Sequence, residues 1–139
     1  MNGDFWAKVH GASVHFPIAL VLASVAMDLC GFLMPGAAGR RGLHTGAHWA
    51  IVLGAVGTVP AVLSGLVMSK GVMLGHDTMR LHHLFAWPAF ALIAGAGTWR
   101  ALGSSAERRP PAAYLLAAGS AAALVMAAGY YGGELMLAR

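Results

Sequence analysis

The stretch Val14–Met34, VHFPIALVLASVAMDLCGFLM, is apolar throughout apart from His15, Ser24 and Asp28. At about 1.5 Å per helical residue it is long enough to cross a hydrocarbon core of about 30 Å. Three further blocks have the same character: Trp49–Met68, Leu84–Leu102 and Ala112–Leu135. The segments between them, Pro35–Gly42, Ser69–Gly71 and Gly103–Pro111, are short and polar, as helix connections are. The expected fold is therefore all-α: an integral membrane four-helix bundle, up-down-up-down with short loops, a single domain over residues 1–139. Composition agrees. Of 139 residues 58% are hydrophobic and 10% charged, with a mean hydropathy of +0.68, whereas soluble domains carry about 25% charged residues.

Four spans place both termini on one side, face A, together with the connection after span two. Face B holds the other two connections. Lys8, Lys70, Arg80 and Arg139 lie at face A, and Arg40, Arg41, Arg100, Arg108 and Arg109 at face B. This small bias makes face B cytoplasmic and face A periplasmic. The net charge of +4 thus sits at span ends, so it does not point to nucleic acid. Trp6 and Trp87 near face A, with Trp49 and Trp99 near face B, form the interfacial aromatic belt. The many Ala and Gly residues within the spans serve close helix packing, and Pro17, Pro60 and Pro88 are read as structural kinks. The first block is not a secretory signal, because Asp4, Lys8 and His10 precede it and it is too long for an h-region. Cys30 is the only cysteine, which excludes an intrachain disulfide.

Seven histidines stand out in so apolar a chain. His10 and His15 lie at the face A start of span one, and His76, His82 and His83 ahead of span three. Glu134 returns at the face A end of span four. Only His44 and His48 lie at face B. His76, Met79 and His83 fall at helical i, i+3 and i+7 and share a face, with His82 about 100° away. His10 and His15 diverge by about 140°; His15, at the head of the apolar run, is the better candidate to face the interior. Three readings compete: interfacial histidines that cap helix ends; a b-type haem between His15 and His83 or His82, with His10 and Glu134 near it; and a copper or other metal site drawing on His15, His76, Met79, His82 and His83. One haem is the ceiling, unless Met27 or Met34 supplies a second ligand. Glu134 could orient a ligating histidine, ligate a metal, or simply end its helix. Asp28, about 9 Å inside the face B end, needs a partner at that depth, and His48 is the candidate, in an ion pair or a proton relay.

Val14-His15-Phe16-Pro17-Ile18-Ala19-Leu20, Asp28, Ser64-Gly65-Leu66, His82 or His83, Arg100 and Gly132-Gly133-Glu134-Leu135, in that order, resemble the bacterial four-span membrane proteins grouped as domain of unknown function 2231. The resemblance implies the four-helix membrane fold and a location in the bacterial inner membrane. Relatives joined to c-type cytochrome or Rieske modules also imply redox work. The expected function is a membrane-embedded electron-transfer subunit with one b-type haem near the periplasmic face. It would dock a periplasmic cytochrome or a larger membrane redox complex, as a homo- or hetero-oligomer. A cofactor-free scaffold or assembly subunit and a copper-binding membrane protein are the alternatives. With no nucleophile–base pair, phosphate loop or paired catalytic carboxylates, a free-standing enzyme is not expected.

Overall fold

In hydrocarbon every backbone N–H and C=O must be satisfied within the segment, so apolar runs of this length become helices. The computed structural model describes residues 3–103, 106 and 108–137, with side chains from Phe5 onward, and its regular elements are four α-helices. They are α1 (Gly3–Leu33), α2 (Ala37–Met68), α3 (Asp77–Gly103) and α4 (Ala112–Leu137). Arg139, assigned to face A above, and Ser104, Ser105 and Glu107 of the last connection lie outside the described residues. α1, α2 and α4 are long and apolar enough to cross a membrane; α3 falls short of that composition, carrying His82, His83 and Arg100. Its length is ample, since 27 residues rise about 40 Å.

The helices overrun the apolar blocks. α1 begins well before Val14, and α2 absorbs Ala37–Gly42, which were expected to be turn. Only Met34, Pro35 and Gly36 join the two: proline biases the residue before it away from helical geometry, and the next helix starts at once. The connection from α2 to α3 is longer than the expected Ser69–Gly71 and runs to His76. Lys70, Gly71 and Gly75 turn it through positive φ. It folds back along α3, where the Trp87 indole N–H donates to the Met73 carbonyl at 2.7 Å. Pro17, Pro60 and Pro88 all lie inside continuous helices.

α1 packs along α2 and α3 along α4, making two antiparallel hairpins joined by the smaller α2–α3 and α1–α4 seams. Where Gly97 meets Ala55 the seam is tight: a Cβ on Gly97 would come within 2.5 Å of the alanine methyl. Val21, Ile51, Ile93, Ala118 and Ala121 form the buried centre. The inward stripe of α1 reads His10, Pro17, Val21, Ser24, Asp28; that of α3 reads His82, Ala89, Ile93, Ala96, Arg100, each 72 positions later. Ala47, Ile51, Gly54 and Ala61 of α2 correspond in the same way to Tyr114, Ala118, Ala121 and Ala128 of α4, 67 positions later. The hairpins are thus pseudo-equivalent halves related by an approximate two-fold axis along the bundle, the parallel-repeat arrangement known in membrane proteins.

Candidate functional site

At the face A end the halves part around a cavity of about 360 Å³, within the range of about 300–1,000 Å³ usual for small-molecule sites. All four helices line it, and its wall is overwhelmingly apolar. Ile93, a residue of the buried centre, forms part of its wall. A second cavity of about 260 Å³ shares His10, His82, His83 and Met136 with the first and adds Met68 and Met79.

The two halves present their histidines in the same manner. The His10 Nδ1–H donates to the Ala61 carbonyl of α2 at 2.9 Å, with Ser64 Oγ at 3.2 Å. The His82 Nδ1–H donates to the Ala128 carbonyl of α4 at 2.8 Å. A carbonyl can only accept, so each contact fixes the proton on Nδ1 and leaves Nε2 with its lone pair free. One helical turn after each accepting carbonyl stands a glycine against the ring: a Cβ on Gly65 would lie 3.0 Å from His10 Cε1, and one on Gly132 would lie 3.3 Å from His82 Nδ1. The Nδ1–Cε1 edge of each ring is therefore seated against the neighbouring helix. Ser13 completes the α1 side, donating to the His10 carbonyl at 2.9 Å.

The remaining candidates fall at different distances from this arrangement. His83 lines both cavities, with a buried Nδ1 that makes no hydrogen bond and a ring 5.6 Å from that of His82. His15 touches the cavity but is exposed; the inward position belongs to His10, contrary to expectation. Helical phase explains this: His10 lies 18 residues, five full turns, before buried Asp28 and therefore shares its face, while His15 points well away. His76 is exposed and precedes α3, so the shared helical face expected of His76, Met79 and His83 does not form. Met79 lines the second cavity with its side chain packed under Gly75. Glu134 is exposed on α4 and lines neither cavity. Among the described residues no three His, Cys, Asp or Glu side chains gather as a metal ion needs.

A separate polar cluster lies toward face B. Asp28 accepts from the His44 Nδ1–H at 2.8 Å and from Arg100 Nη2 at 2.5 Å, and all three are buried. The Arg100 guanidinium lies 4.6 Å from the centre of the Tyr114 ring. His48, the expected partner, instead meets Trp49 edge-on. The difference follows from α2 beginning at Ala37, which brings His44 into the helix level with Asp28. Arg100 was read as a face B anchor, yet its spacing of 18 residues from His82 matches that of Asp28 from His10 and was the signal for the pair.

Fold and site together define a small four-helix membrane protein with a chamber between paired histidines at one end of the bundle. The chain belongs to the family described as predicted membrane protein DUF2231, whose model matches residues 7–138. No curated protein and no solved structure matches it.

Proposed function

We propose that the chain is a membrane-embedded electron-transfer subunit that would hold one b-type haem in the face A chamber through His10 and His82. The observation that carries this reading is the matched pair of imidazoles. Ligating histidines typically donate their second ring N–H to a carbonyl or carboxylate, which fixes tautomer and orientation, and both rings have that bond in place. The residues fit the group: a porphyrin supplies four nitrogens itself and asks the protein for one or two axial imidazoles inside an apolar bundle. Bound there, haem would supply one-electron chemistry. The chain would hold the ring between its halves, exclude water with the apolar wall, and insulate it from the Asp28 cluster by the packed centre. The setting is a bacterial inner membrane with both termini periplasmic, and the electron partner a periplasmic cytochrome or a larger membrane redox complex.

The second cavity favours one other reading. Thioethers with imidazoles suit Cu(I), and Met68, Met79 and Met136 share that cavity with His10, His82 and His83. Protein purified in detergent from haem-competent cells, examined by a reduced-minus-oxidised visible spectrum and by metal analysis, separates the two. The haem reading expects a b-type spectrum and iron near one per chain. Copper without colour moves the assignment to the thioether cavity, and a sample free of both metals leaves a scaffold.

A further inference from the structure

The chamber sits on the pseudo-two-fold axis, so it has two equivalent side walls, one at the α2–α3 seam and one at the α1–α4 seam. Their residues correspond position by position. At the α2–α3 seam stand Val62 and Leu66 of α2 with Trp87 and Phe90 of α3, all half-buried. Trp87 is pinned there by its bond to the Met73 carbonyl. At the α1–α4 seam the corresponding residues are Gly129 and Gly133 of α4 with His15 and Ile18 of α1. Gly129, Gly133 and His15 are exposed although they line the chamber. A Cβ on Gly129 would meet only the Ile18 Cδ1 at 3.9 Å, across the seam, and one on Gly133 would meet nothing. α1–α4 is also the slighter of the two seams between the halves. One wall is closed by four large side chains; its counterpart is two glycines wide.

We propose that the chamber is filled from the bilayer, sideways through the α1–α4 window, by a flat, lipid-soluble ring system able to take up the free Nε2 lone pairs of His10 and His82. This rests on the chamber being a ligand site, but not on the ligand being haem. Lipid offers an apolar molecule no hydrophobic incentive to leave it, since the chamber wall is as apolar as the tails. Retention then falls to the two oriented imidazoles, and the glycine window sets which ring systems pass. The wall opposite, closed by Trp87 and Phe90, gives the incoming ring a surface to stack on.

The test uses an apolar carbene photolabel, 3-trifluoromethyl-3-(m-iodophenyl)diazirine, with the full chain in phosphatidylcholine vesicles. In the native chain, prepared from haem-deficient cells so that the chamber is unfilled, labelling is expected at buried Ala61, Ile93 and Ala128 as well as at lipid-facing Leu53 and Leu116. In G129V/G133L, which copies the residues of the closed wall, labelling at the three interior positions is expected to be lost while Leu53 and Leu116 keep theirs. Retained surface labelling reports that the variant is folded, and G133L alone, placed in open space, serves if the pair is not. Interior labelling that survives in both variants, or that is missing from the native chain, overturns the proposal. An accessible chamber in a chain that also comes colourless and iron-free from haem-competent cells would overturn the haem assignment and leave the window standing.

Discussion

Asp28 is a carboxylate at membrane depth, neutralised by Arg100 and hydrogen-bonded by His44. Its need for a partner was legible because an unpaired charge there is too costly to keep. The partner's identity was not, because both depended on where α2 begins and on a contact from a helix 72 positions away. Removing one member of a buried pair strands the other charge at a cost of about 3–5 kcal/mol. Asp28→Ala is therefore expected to destabilise by that amount in reversible unfolding from mixed detergent micelles. Asp28→Leu with Arg100→Leu is expected to recover most of the loss, since an apolar pair strands no charge. Equal destabilisation by the single and double variants would show that the charges are not coupled.

The helices were legible as elements, and less so as surfaces. Hydropathy marks a span but not its inward face when nearly every residue is apolar, which is why His15 was preferred to His10. The phase was recoverable from buried polar residues alone, by stepping five turns back from Asp28 to His10 and from Arg100 to His82. Glycine carries element-scale information of the same kind. Gly65 lies under the His10 ring, whereas a Cβ on Gly95 would meet nothing within 4 Å. Gly65→Ala is expected to push the imidazole off the Ala61 carbonyl and to cost about 1–3 kcal/mol, as overpacking does. Gly95→Ala is expected to leave stability unchanged or raise it slightly, alanine being the better helix former. Unfolding midpoints of the two variants in one detergent check this, and similar losses in both would contradict the reading of Gly65 as a seat for His10.

At the scale of the whole molecule, four apolar blocks with short connections sufficed to give the bundle, and the span-end histidines drew attention to face A, where the chamber lies. The two-fold relation of the hairpins was hidden, because most corresponding positions hold different residue types: His10 answers His82, but Asp28 answers Arg100 and His15 answers Trp87. What the halves share is position and burial, which appear only once the helices are packed. That relation gives the central claim its form. In the proposed assignment His10 and His82 act as a pair, and His15, His76 and Glu134 stand outside it. Visible spectra of His10→Ala, His82→Ala and His15→Ala, purified alongside the native chain, test this most directly. Either of the first two is expected to lose the b-type absorption while His15→Ala keeps it. A bleached His15→Ala beside a fully coloured His10→Ala would contradict it.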